Sequence, residues 1–193
     1  MKLVLFGDSY TAGRIPQTST DGAFRAALIA EGVAAADITD LAVSGSTAAD
    51  WAHGCQHGNL EKAFDAPTDS ICVGSLGGND VFAAVKDGKI TSKEAISFFR
   101  DLFSAFNFLS DNHRTIVMVY PLPKMFAGAK ISAVVRDLLA ASIATAATLA
   151  GAETIDLGPV LNEDSDFLGS DIHPTCRGYA KMARAVLDKI NNK

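Results

Sequence analysis

The sequence predicts an α/β fold: an open, five-stranded parallel sheet covered by helices on both faces, in three layers, forming one domain over residues 1–193. Two patterns carry this expectation. Five short apolar runs, each bounded by Gly, Asp or Pro, suit strands buried on both faces. The segments between them carry apolar residues at helical spacing. Length adds a bound, since 193 residues with 48% hydrophobic content can close one sizeable core, and no repeat, linker or low-complexity run suggests a second.

The elements follow in order. Residues 3–6 form the first strand, stopped at Gly7, residues 38–43 the second and residues 70–76 the third. Ile96, Phe99, Leu102, Phe103, Phe106 and Leu109 share one helical face, and Thr91 with Glu94 has the spacing of a capping box ahead of it. Residues 115–120 give the fourth strand. A second long helix runs from about Ser132 to Ala150, with Gly151 as its C-cap, and residues 153–156 give the fifth strand. The last helix opens at Pro174, whose fixed φ suits a first turn, and buries Ala180, Ala183, Val186, Leu187 and Ile190.

Charge and composition exclude several function classes. The net charge of −5, with seventeen scattered Lys and Arg, gives no basic stripe to follow a phosphate backbone, so nucleic acid is not expected as a partner. Only four apolar residues separate Lys2 from Gly7, too few for the core of a signal peptide, and no apolar run reaches the length of a bilayer. Cys55, Cys72 and Cys176 are an odd set with no CxxC pair, which fits reduced thiols. The expectation is a protein that is cytoplasmic or otherwise soluble, with no membrane partner.

Four motifs fall just after a strand or just before a helix: Gly7-Asp8-Ser9, Ser44-Gly45, Gly77-Gly78-Asn79-Asp80 and Asp171-Ile172-His173-Pro174. In an open parallel sheet they map to the carboxyl edge, where ligands bind. Ser9, presented on a sharp turn, is a candidate nucleophile; taken alone it also fits a helix N-cap. His173, at the start of the closing segment, is placed to take the Ser9 proton and return it to a leaving group. The Ser9 N–H, the Gly45 N–H and the Asn79 side-chain amide are three donors for a developing oxyanion, although Asn-Asp also fits an Asx turn.

On these residues the chain resembles the SGNH hydrolases of the GDSL lipase/esterase superfamily, whose block residues are here Ser9, Gly45, Asn79 and His173. The resemblance spans almost the whole chain. It implies a flavodoxin-like sheet, the SGNH hydrolase fold, and hydrolysis of esters or thioesters through an acyl-serine intermediate, with no cofactor and no metal. It also implies an acid that orients the histidine. In the family that acid stands three residues before the histidine, where this sequence has Ser170; Asp171 stands two residues before His173 and reaches the same side in an extended segment. Asp171 is therefore the candidate third member, with Ser170 or a backbone carbonyl as the alternative.

Other features carry less. His53, Cys55 and His57 form an H-x-C-x-H spacing with no fourth ligand, which does not make a metal site. Trp51 and Tyr10 suit either the cleft or the core, and Phe98 and Phe108 fall off the main helical face as surface or cleft residues. Residues 15–21, 51–65, 82–90 and 121–130 form the rim, too short for a large lid. The sequence thus predicts a serine esterase acting on small acyl groups, such as acetyl esters of carbohydrates or short-chain esters. The alternatives are an acyl thioesterase or lysophospholipase of the same family, a flavin-binding protein with phosphate at the first loop, or a non-catalytic carbohydrate-binding module.

Overall fold

The computed structural model describes all residues except 16, 17, 19, 88, 89, 122–132, 168–171 and 193, and leaves the side chains of 85–87 and 133–136 undescribed. Five strands, β1 (Lys2–Gly7), β2 (Ile38–Asp40), β3 (Ser70–Ser75), β4 (Arg114–Val119) and β5 (Glu153–Asp156), form one parallel sheet in the order β2-β1-β3-β4-β5. The order reverses at β1, so the crevice between the loops after β1 and β3 is the topological switch point where open α/β sheets bind ligands.

Nine helices are described: α1 (Ser9–Ala12), α2 (Ala23–Ala30), α3 (Ala48–Ala52), α4 (His57–Phe64), α5 (Gly78–Asp87), α6 (Ser92–Ser110), α7 (Ala133–Leu149), α8 (Leu157–Val160) and α9 (Cys176–Asn191). α2 packs on α9, while α3, α4 and α7 pack around α6. The core between helices and sheet holds Leu3, Leu5, Phe6, Phe24, Val73, Leu102, Ile116 and Tyr179, all fully buried. Phe6 meets Trp51 and Phe106 edge-on at centroid distances of 6.1 and 6.3 Å, which ties β1 to α3 and α6.

Several elements depart from the sequence expectations for identifiable reasons. β2 ends at Asp40, yet Leu41 and Val43 continue its pairing by donating to the carbonyls of Leu5 and Gly7 at 2.9 and 2.8 Å. The buried face of α6 is Phe98, Leu102, Ala105, Phe106 and Leu109, with Asp101 within it, and Ile96 is 69% exposed. Asp101 disguised this stripe; it takes hydrogen bonds from Ser97 and Arg100 at 3.3 and 3.2 Å. Phe98 is therefore core, and Phe108 is half-buried against Phe64 at 4.6 Å.

The Thr91–Glu94 capping box is present, with Thr91 Oγ1 accepting from the Glu94 amide and Glu94 from that of Thr91. α7 ends before Gly151, which sits at φ +77°. The last helix starts two residues later than the proline suggested. Thr175 is its N-cap, accepting from the Gly178 amide, while Pro174 is spent on an antiparallel bridge to Phe167. Its buried stripe includes Tyr179 and Met182 with Ala183, Val186 and Ile190; Ala180 and Leu187 are half-buried.

Candidate active site

Ser9 is placed by a turn that only glycine can make. Gly7 stands at φ +105°, and a Cβ there would lie 1.8 Å from the Ser75 carbonyl oxygen. The Asp8 amide then donates to that same carbonyl at 2.9 Å, so β1 stays registered on β3 up to the residue before Ser9. The N-cap of α1 is Asp8, accepting from the Tyr10 amide at 3.2 Å, not Ser9. With the cap taken by its neighbour, Ser9 occupies the first helical position, only 8% exposed.

His173 reaches Ser9 from the far end of the chain, with Nε2 2.9 Å from Ser9 Oγ. Its loop is clamped on both sides. Before it, Phe167 bridges Pro174; after it, the Thr175 amide donates to the Asp166 carbonyl at 2.8 Å and Thr175 Oγ1 to the Ser165 carbonyl at 3.0 Å. Asp166 is fully buried and accepts from Lys181 Nζ and the Glu163 amide, both at 2.9 Å, while Arg177 pairs with Glu163. Tyr10, buried beside Ser9, donates its hydroxyl to the Ile172 carbonyl at 2.6 Å and sets its ring 6.2 Å from the imidazole. Asp171 and Ser170, the candidates for orienting His173, lie outside the described residues.

The oxyanion candidates come from the neighbouring loops. Asn79 is the second residue of α5, not the corner of an Asx turn, and donates from Nδ2 to the Ser46 carbonyl at 2.8 Å. An amide carries two hydrogens, so this bond orients the group and leaves the second hydrogen for a ligand. Gly45 stands exposed at φ +86° in the turn before Ser46. Among the described residues the Ser9 and Gly45 amides have no hydrogen-bond acceptor.

Two carboxyls that the sequence reading passed over, Asp8 buried and Asp80 half-buried, brace these loops. Asp8, 1% exposed, accepts from the Tyr10 amide and Ser75 Oγ at 3.2 Å, the Gly78 amide at 3.3 Å, and the Tyr120 hydroxyl. Burial pushes its pKa up to about 6, against the lowering effect of those donors, Tyr120 foremost. Tyr120 is driven well above the ordinary phenol value by burial and then by the Asp8 charge, so it remains a donor. Asp80 accepts from the Ala48 amide at 3.0 Å, and burial raises it likewise to about 6. The sequence signal was there, because both acids sit inside the motifs that carry Ser9 and Asn79.

Trp51 is fully buried and donates from Nε1 to Ser46 Oγ at 2.9 Å, so it props the Gly45 turn from within the core. His53, Cys55 and His57 turn to separate partners, Asp101, Asp50 and the Trp51 carbonyl. Among the described residues no group of three or more His, Cys, Asp or Glu could hold a metal ion, and no helix is long and apolar enough to cross a membrane. A cavity of about 320 Å³ between α3, α5 and α6 is lined by Thr47, Asp80 and Phe98, and one of about 400 Å³ by Tyr120 and Pro121; neither is lined by Ser9 or His173.

A serine and an imidazole within hydrogen-bonding distance at the switch point of a parallel sheet define the layout of a hydrolase. The chain belongs to the GDSL-like lipase/acylhydrolase family, whose profile matches residues 5–181, and it is a carboxylic ester hydrolase. No curated protein sequence matches it. Solved structures share the fold across nearly full lengths. A lipase/acylhydrolase from Enterococcus faecalis is 18% identical with a TM-score of 0.70, covering 100% of this chain and 96% of that one. An acetylxylan esterase from Geobacillus stearothermophilus is 19% identical with a TM-score of 0.68, covering 98% and 94%. A psychrotrophic esterase from Pseudoalteromonas sp. is 15% identical with a TM-score of 0.67, covering 99% and 97%.

Proposed function

We propose that the protein is a serine esterase that hydrolyses esters of small acyl groups, acetyl or short-chain, through an acyl-serine intermediate. The observation that carries this reading is the 2.9 Å separation of His173 Nε2 and Ser9 Oγ. His173 accepts the hydroxyl proton as Ser9 Oγ attacks the acyl carbon, and the carbonyl becomes an oxyanion bound by the Ser9 N–H, the Gly45 N–H and the Asn79 amide. The imidazolium then protonates the departing alkoxide. Water, deprotonated by the same imidazole, attacks the acyl-enzyme and releases the acid. In this reading Asp171 orients His173.

The likeness to an acetylxylan esterase supports acetyl esters as a class. The test is hydrolysis of p-nitrophenyl acetate, butyrate and octanoate by the wild type, Ser9→Ala and His173→Ala, each checked for folding by circular dichroism. The expected result is turnover falling with chain length and lost in both variants. Turnover that persists in Ser9→Ala would overturn the mechanism, and a preference for octanoate would overturn the acyl assignment.

A further inference from the structure

Asp8 is the most heavily hydrogen-bonded carboxyl described at the sheet edge, and the reaction gives it no part. We propose that Asp8, locked by Tyr120, is a positioning residue for ester hydrolysis: its carboxylate couples the turn that carries Ser9 to the helix that carries Asn79. The inference rests on the serine-esterase reading of this site.

The geometry divides the load. Asp8 Oδ1 accepts from the Tyr10 amide of α1 and from Ser75 Oγ of β3, whereas Oδ2 accepts from the Gly78 amide of α5 and from Tyr120 at the end of β4. Gly78 immediately precedes Asn79 and Tyr10 immediately follows Ser9, so one carboxylate spans the nucleophile and an oxyanion donor. Backbone amides can only donate. The hydroxyls follow the charge: Thr11 Oγ1 accepts from the Ser75 amide and lies 2.8 Å from Ser75 Oγ, and when Asp8 is ionised Ser75 donates to it and Thr11 donates to Ser75. Four donors on two oxygens call for an ionised group. A proton on either oxygen takes up one of the positions these donors fill, so it displaces an amide or turns a hydroxyl round and weakens that side of the bridge.

Among the described residues the titratable groups around Asp8 are few. From β4 comes Tyr120, and from α1 comes Tyr10, whose hydroxyl is engaged with the Ile172 carbonyl. β3 contributes only the neutral Ser75. His173 stands beyond the Tyr10 ring, 6.2 Å from it, and Asp80 on α5 is bound to the Ala48 amide. Tyr120 stays protonated, so the charge that changes at the bridge itself is that of Asp8, which burial raises to about 6.

Tyr120→Phe in the full chain tests this, because the ring that packs edge-on against Tyr10 at 5.1 Å is kept while one donor is removed. Losing a hydrogen bond to an ionised group raises the Asp8 pKa, so the acid limb of kcat for p-nitrophenyl acetate should move up by about one pH unit. The rate near pH 6 then falls about fivefold, approaching tenfold at lower pH, and recovers toward alkaline pH, with KM unchanged. Asp8→Asn should lower kcat across the pH range and remove that ionisation from the profile. An unchanged limb in Tyr120→Phe, with the wild type active, overturns the proposal.

Amide hydrogen exchange of Tyr10 and Gly78, read by NMR, decides the coupling without turnover. Both amides should lose protection together in Asp8→Asn, and retention at Gly78 overturns the bridge. A wild type that hydrolyses no ester counts against the esterase reading alone, and the exchange result still stands for or against the coupling.

Discussion

Replacing Asp8 by Asn isolates the stability that the fold gives up to hold a buried charge. Burial moves this carboxyl from 3.8 to about 6 at a site 1% exposed. The folded value lies above the unfolded one, so between about pH 4 and about pH 6 the folded chain binds more protons than the unfolded chain, and stability falls as pH rises through that window. At 1.36 kcal/mol per pKa unit the loss is about 3 kcal/mol, complete by about pH 7. Asn does not titrate. The unfolding free energy of wild type minus that of Asp8→Asn should therefore drop by about 3 kcal/mol from about pH 3 to about pH 7, or roughly 6 to 12 °C in Tm for a chain of this size. Asp80 and Asp40, both also raised chiefly by burial, titrate in both proteins and cancel in the difference. Urea unfolding followed by circular dichroism across the pH series measures it. A difference that stays flat with pH refutes a buried, titrating Asp8.

Asn79→Ala should lower kcat about 10²- to 10³-fold, as loss of one oxyanion donor does, and remove about 1 kcal/mol of stability with the bond to the Ser46 carbonyl; a loss confined to KM in steady-state kinetics would deny it that role. Gly178→Ala puts a Cβ 2.7 Å from the Asp166 carbonyl oxygen and 2.8 Å from Pro174 Cβ, so it should destabilise by about 1–3 kcal/mol and lower kcat by displacing the His173 loop. Unaltered kcat and Tm there would show that the clamp yields freely. Thr91→Ala removes the α6 capping box far from Ser9 and should cost about 1 kcal/mol in denaturant unfolding with kcat/KM unchanged.

The sheet and the order of its elements were legible because buried parallel strands leave continuous apolar runs and turns leave Gly, Asp and Pro. Boundaries and faces were less so where a side chain had two uses. Asp101 interrupts the α6 stripe only until Ser97 and Arg100 are seen to satisfy it, and Pro174 reads as a first helical residue until Phe167 is found paired with it. Ser9, Asn79 and His173 were visible as motif residues, and the structure brings Ser9 and His173 together. The hidden part is the bracing: Asp8 masked its own role by preceding a serine that fits a cap equally well, and Tyr120, 112 residues away, offers no local pattern to link it to Asp8. Such contacts are set by strand order, which places the ends of β1, β3 and β4 side by side.

The bracing has a common form. Helix starts leave N–H groups without intrahelical acceptors, and at α5 and α3 the first of these is satisfied by a carboxylate from another element. Asp8, beyond β1, takes the amide of Gly78, the first residue of α5; Asp80, within α5, takes the amide of Ala48, the first residue of α3. Asn79 adds a third tie by donating to the Ser46 carbonyl. The loops bearing Ser9, Asn79 and Gly45 are thereby fixed to one another rather than each to the sheet alone. On the esterase reading this gives a reason for an ionised Asp8 in the interior, since neutralising it relieves about 3 kcal/mol of burial at neutral pH but undoes the spacing of nucleophile and oxyanion donor. At neutral pH Asp8→Asn should then lose less stability than its broken hydrogen bonds alone would cost while being a poorer catalyst, whereas Thr91→Ala loses stability and keeps its rate.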